Sequence, residues 1–226
     1  MKLFETRKLH YNTYLYKLSI RNQLAYIFRT EFQHGGLQYA QKKLDIINTH
    51  SNPRSKEIML PQRYGPFDKI QTTDFWDAIT IYRDLKKATD YKIRCEMGNL
   101  IIYSNNRKML VKLANKLRHS YVEFWEPNPE NITILTADQN VILSKKKPKY
   151  EYMVTLGNKT GSPALSKWIT ANPKLAKMGD KAKDYCASGH YVKGLYFYVR
   201  DQKTLMIAQM LVGDNIQRID KYVFAE

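Results

Sequence analysis

The stretch Gly194–Phe224, GLYFYVRDQKTLMIAQMLVGDNIQRIDKYVF, decides the reading of the fold, because it holds a complete strand, helix, strand unit. Residues alternate from Gly194 to Arg200, with Leu195, Phe197 and Val199 on one face and Tyr196, Tyr198 and Arg200 on the other, the period of a half-buried strand. Asp201 is placed to cap a helix. Leu205, Met206, Met210 and Leu211 recur at helical spacing, Gly213 is a stop, and Ile216, Ile219 and Val223 lead into a last extended segment.

The same order occurs ninety-six positions earlier, at Asn99 to Glu126, counted without gaps. Leu100 to Tyr103 is a short β-like run, Asn105 falls where Asp201 stands, and Met109, Leu110 and Val111 fall on Leu205, Met206 and Ile207. Tyr121 to Trp125 returns as an aromatic strand. A further β-like segment precedes each unit, Asp90 to Met97 in the first and Tyr150 to Leu156 in the second, so each half reads as ββαβ.

Upstream, His10 to Arg29 reads as a hairpin: Tyr14, Tyr16, Leu18 and Ile20 alternate, Arg21-Asn22 supplies a turn, and Leu24, Tyr26 and Phe28 continue. A helix follows on Leu37, Ala40, Leu44 and Ile47, a strand at Lys56 to Leu60, a connector at Gln62 to Lys69, and a helix from a Thr73 cap to about Ala88 with Phe75, Ile79 and Tyr82 on one face. Ile132 to Leu143 reads as a weak hairpin around Ala137 to Asn140, and Lys145-Lys-Lys-Pro-Lys149 as an exposed boundary. From Thr160 to Ser188 the alternation stops. Ser162-Pro163 and Asn172-Pro173 each place a capping side chain before a proline, which predicts short helices.

The expectation is therefore an α+β protein of repeated ββαβ units, with antiparallel or mixed sheets, helices on one face and a small helical insertion near 160–188. It divides into an N-terminal unit 1–89, a middle unit 90–144 and a C-terminal unit 145–226. With 226 residues, 43% of them hydrophobic, the chain can bury a core. No run approaches the roughly 20 apolar residues of a membrane span, and MKLFETRKLH lacks the apolar centre of a signal peptide, which points to a soluble intracellular protein, cytoplasmic or associated with a virion. Cys95 and Cys186 are too few for a disulfide framework or a cysteine-based zinc site and read as packing residues.

Charge is the functional signal. The formal net charge is +16, and eleven lysines between Lys145 and Lys193 face only Glu151, Asp180 and Asp184, a local surplus of eight. Lys145, Lys146, Lys147, Lys149, Lys159, Lys167, Lys174, Lys177, Lys181 and Lys183 are the candidate phosphate contacts. Lysine without arginine suits backbone tracking rather than base reading, which uses the bidentate guanidinium. Tyr196 and Tyr198, sharing a face with Arg200, form a candidate stacking platform for unpaired bases. Both features have a structural reading as well, a solvated helical face and a second core edged by hydroxyls. The resulting architecture is loosely similar to ferredoxin-like RNA-binding modules, without an RNP-type motif.

Leu156-Gly-Asn-Lys-Thr-Gly-Ser162 has the wrong order for a Walker A loop, since Lys159-Thr160 precedes Gly161; a simple anion site with Lys159 at the start of the next helix is what the stretch allows. His10, His34, His50, His119 and His190 stand singly, and Asp74, Asp77 and Asp84 share one helix, so no catalytic, metal or cofactor residues are assigned. The leading expectation is a non-enzymatic protein that binds RNA or single-stranded DNA. A viral or nucleoprotein assembly subunit, whose basic face meets nucleic acid, an acidic protein or other copies of the chain, and a metal-dependent nuclease are the alternatives.

Overall fold

The structure is a computed structural model that describes residues 1–29, 36–52, 54–60, 67–117 and 121–225. It is α+β, and the chain forms two compact units: Met1–Thr6 with Thr13–Pro129, and Arg7–Asn12 with Glu130–Glu226.

In the first unit a five-stranded sheet is built from β1 (Lys2–Glu5), β2 (Tyr16–Arg21), β5 (Lys92–Glu96), β6 (Asn99–Ser104) and β7 (Tyr121–Glu126), in the order β1-β7-β2-β6-β5. The pair β1–β7 is parallel and the other neighbours are antiparallel. Helices α1 (Gly36–Thr49), α2 (Thr72–Leu85) and α3 (Arg107–Lys116) pack on one face, where Leu18, Ile20, Leu100, Ile102 and Phe124 are fully buried with Phe75, Ile81 and Leu110. Each such side chain removed from water stabilises the unit by about 1.5–3 kcal/mol before chain entropy opposes it. A two-stranded ribbon, β3 (Glu57–Met59) with β4 (Lys69–Gln71), adds Ile58 and Ile70 to the same core.

The second unit repeats the topology. Strands β8 (Val141–Ser144), β9 (Tyr152–Leu156), β10 (Ala176–Met178), β11 (Tyr196–Val199) and β12 (Ile216–Phe224) lie in the order β8-β12-β9-β11-β10. Again the first and last strands, β8 and β12, are parallel and the rest antiparallel. A short helix α4 (Ile132–Ala137) precedes β8, and α5 (Pro163–Ala171), α6 (Asp180–Ala187) and α7 (Gln202–Val212) pack over Val154, Leu156, Phe197 and Val199. In both units, then, chain order 1-5-2-4-3 runs across the sheet.

Register fixes the correspondence. Leu18 lies between Ile102 and Phe124, as Val154 lies between Phe197 and Ile219. The helix caps are Asn106, whose side chain accepts from the Met109 amide, and Asp201, which accepts from the Thr204 amide. The true offset between the units is therefore 201 − 106 = 95, one less than the ungapped count of ninety-six. A one-residue slip in a strand exchanges its faces, so an offset of ninety-six would set core Ile102 against outward Tyr198. At ninety-five, Ile102 matches Phe197, Tyr103 matches Tyr198, and buried Leu110 matches buried Leu205. Asn105 is no cap; its side chain accepts from the Leu15 amide at 3.0 Å.

Several local expectations change. The second half of the expected N-terminal hairpin is a 3-10 turn, Ala25–Phe28, set by Asn22, whose side-chain oxygen accepts from the Leu24 amide at 2.8 Å. A tight turn rather than a strand lets Leu24, Ala25, Ile27 and Phe28 all reach the core. Residues 132–143 form α4 and β8, not a hairpin, with Leu135 the buried anchor of the helix. The partner of the β11 hairpin is β10, hidden inside the lysine-rich insertion, while Tyr150–Leu156 contributes β9, the counterpart of β2. Asn172 ends α5 instead of starting a helix. Thr73 does not cap α2, which begins at Thr72 after Gln71. The connector at 62–69 lies mostly outside the described residues, and His34 and His119 lie outside them as well. Among the described residues, no helix is long and apolar enough to cross a membrane.

Candidate nucleic-acid interface

Because α5, α6 and α7 occupy one face of the C-terminal sheet, every second strand residue points the other way. On that outer face Tyr198 of β11 is the cross-strand partner of Lys177 on one side and Met153 on the other, and Tyr196 lies two residues along, 49% exposed. Tyr222 of β12 and Tyr150, just before β9, complete a cluster: the Tyr198 ring is 5.6 Å from Tyr196, 6.2 Å from Tyr222 and 6.3 Å from Tyr150. Partial burial, neighbouring phenols and hydrogen bonds to Tyr196 and Tyr222 push the Tyr198 hydroxyl up to about 12. Burial, as the largest cause, also raises Tyr222, so both of these phenols keep their protons at physiological pH.

The lysines do not form one field. At one end of the sheet, where β9 begins and β11 ends, the β8–β9 connection carries exposed Lys145, Lys146, Lys147 and Lys149, and the Lys149 ammonium lies 5.4 Å from the Tyr150 ring centre. The Tyr150 hydroxyl donates to the Pro173 carbonyl at 3.2 Å, which brings the turn bearing exposed Lys174 to the same end. Arg200 joins them there through backbone bonds to Leu175 and Glu151, with its side chain on Asp201 at 2.9 Å. Lys177 stands one step further in, on the tyrosine face, because residues 176–178 are strand rather than helix.

The others lie elsewhere. Lys167 is on α5, and Lys181 and Lys183 are on α6, in the helical layer. Lys183 is paired with Asp180 at 3.0 Å. Lys159 sits at the opposite end of the sheet in an ion pair with Asp214, whose carboxyl this bond holds below its usual range. The Leu156–Ser162 loop is structural: Ser162 accepts from the Leu165 amide and donates to the Leu211 carbonyl, and Gly161 packs on the Cys186 backbone. Of the acids on α2, Asp84 holds Lys116 and Asp74 accepts from the Gln23 amide. Among the described residues no group of three or more His, Cys, Asp or Glu side chains is arranged to hold a metal ion.

Tyr150 and Tyr222 escape a reading by alternation. Tyr150 precedes its strand, and a register irregularity between Ile216 and Arg218 shifts which β12 residues face outward. Arg218 and Lys8 both bind fully buried Asp220 on this side, at 2.8 Å and 3.1 Å. No family model, curated protein or solved structure matches the chain.

Proposed function

We propose that the protein is a non-enzymatic nucleic-acid-binding protein that holds single-stranded RNA or DNA along the outer face of its C-terminal sheet. The observation that carries this reading is the Tyr150, Tyr196, Tyr198, Tyr222 cluster with Lys177 beside it and Lys145, Lys146, Lys147, Lys149 and Lys174 gathered at one end. Phenol rings take any base on their faces, and ammonium groups at the rim meet phosphates as point charges, so the arrangement favours a flexible strand over a duplex and does not select sequence. Lys159, Lys167, Lys181 and Lys183 fall outside this path.

Fluorescence anisotropy with labelled single-stranded and duplex oligonucleotides over a salt series tests it. Tyr196→Ala should weaken single-strand binding by about 5- to 150-fold, the range of one lost stacked base, about 1–3 kcal/mol. Joint replacement of Lys149, Lys174 and Lys177 by Gln should flatten the salt slope by about 0.7 for each phosphate no longer neutralised, while Lys167→Gln with Lys181→Gln leaves it unchanged. Absence of saturable binding at low salt, or helix-layer variants as damaging as sheet-face variants, overturns the assignment. Self-assembly on sizing with indifferent oligonucleotide binding would place the protein among assembly subunits instead.

A further inference from the structure

A second positive feature lies in the N-terminal unit, on residues outside the lysine-rich insertion. A cleft of about 450 Å³ opens between the end of α2 and α3, lined by Asp84, Lys87, Asn106, Lys108, Lys112 and Lys116 together with Asp90. Lys108, Lys112 and Lys116 are four residues apart, so they stack along one side of α3 and advance about 6 Å per step.

This arrangement is electrostatically unfavourable for the helix alone. Like charges four apart repel, and α3 begins with Arg107 and Lys108 and no acid at its positive end, the reverse of what the helix dipole favours. Arg107 is neutralised by Glu126 at 2.6 Å, and Asp84 grips Lys116 with both oxygens at 2.6 Å. Asp90 accepts from the Asn105 amide. Among the described residues no carboxylate pairs with Lys87, Lys108 or Lys112. Three exposed ammonium groups therefore line a concave site in which Lys116 neutralises Asp84 and Asp90 keeps its charge, so four lysines against two acids leave a surplus of 4 − 2 = 2 positive charges.

We infer that this cleft is a binding site for a ligand with two or more adjacent phosphate groups, in which Lys108 and Lys112 contact successive phosphates and Lys87 closes the far wall. Two sources carry that chemistry, the polyphosphate chain of a nucleotide and consecutive phosphates of a nucleic-acid strand. The site shares no residue with the tyrosine face, so it stands or falls separately from the function proposed above.

The test is isothermal titration of the full chain with tripolyphosphate, a nucleoside triphosphate and a ten-residue oligonucleotide. Each is run at low and moderate salt on the wild type, on Lys108→Gln/Lys112→Gln and on the tyrosine-face variant Tyr196→Ala. Glutamine keeps helix propensity at these exposed positions, and an unchanged melting temperature verifies folding. The inference holds if any probe binds saturably and the double variant loses at least tenfold while Tyr196→Ala retains that component. Saturation by the two small probes assigns a nucleotide site, and saturation by the oligonucleotide alone assigns a strand contact. It is overturned if no probe binds saturably at low salt, or if the double variant binds all three as tightly as the wild type.

Discussion

Replacing Gly161 by Ala should destabilise the C-terminal unit severely, although the backbone torsion at this position is ordinary for an L-residue. The difficulty is space. An added Cβ would stand 2.5 Å from Cys186 Cα, 3.0 Å from the Tyr185 carbonyl oxygen and 3.0 Å from Val192 Cγ1. Carbon atoms in packed interiors prefer about 3.5–4.0 Å, so either α6 or the 160–162 segment has to retreat by about 1 Å. Neither moves freely. The Gly161 amide donates to the His190 carbonyl at 2.8 Å, Thr160 bridges Tyr191, and Cys186 is fully buried among Leu165, Ile169 and Val192. Because the obstacle is backbone rather than a flexible side chain, the cost belongs at the upper end of the overpacking range, about 3 kcal/mol. With a urea dependence of about 1–3 kcal/mol/M, the unfolding midpoint followed by circular dichroism should fall by about 1–3 M. Gly157→Ala is the control, because the tightest contact its Cβ would make is 3.1 Å, to Asn215 Oδ1, so that neighbour need give only a few tenths of an ångström. A Gly161→Ala protein that unfolds at the wild-type midpoint, or shifts no more than Gly157→Ala, refutes the packing argument.

Two further perturbations bear on the helix register and the tyrosine cluster. Asn106→Ala removes the α3 cap and should cost about 1 kcal/mol in thermal or urea unfolding; an unchanged stability would contradict the cap. Tyr198 keeps its proton more tightly in the folded chain, about 12 against roughly 10 unfolded, so its contribution to stability is complete below pH ~10 and is lost as pH rises through about 12. Ultraviolet difference titration should show the latest-ionising phenols diminished by one in Tyr198→Phe, and ionisation of Tyr198 alongside ordinary tyrosines contradicts the burial described for it.

Local chemistry made much of this legible. Period-two alternation in Tyr196–Val199, a short apolar β-like run at Leu100–Tyr103, a polar side chain at the head of α7 and the glycine at its end specify strand, helix and stop from neighbours in the chain. Where one side chain rewired the backbone, the pattern misled. Asn22 converts an alternating segment into a 3-10 turn, and Leu24 and Ala25 are both buried there, which no strand in a one-sided sheet allows. Strand β10 is three residues long and set among lysines, so its evidence is its pairing with β11, not its composition.

By itself, the sequence determined the α+β class, the recurring strand–helix–strand order and the surplus of positive charge, since each depends on spacing or counting along the chain. Only the tertiary structure decided the offset of ninety-five, the joining of Tyr150, Tyr196, Tyr198 and Tyr222, and the division of the lysines between sheet face, helical layer and opposite end. The physical reason is that a face is defined by pairing between strands distant in sequence: Lys177 becomes a neighbour of Tyr198 because β10 hydrogen-bonds to β11, and nothing within five residues of either encodes that bond.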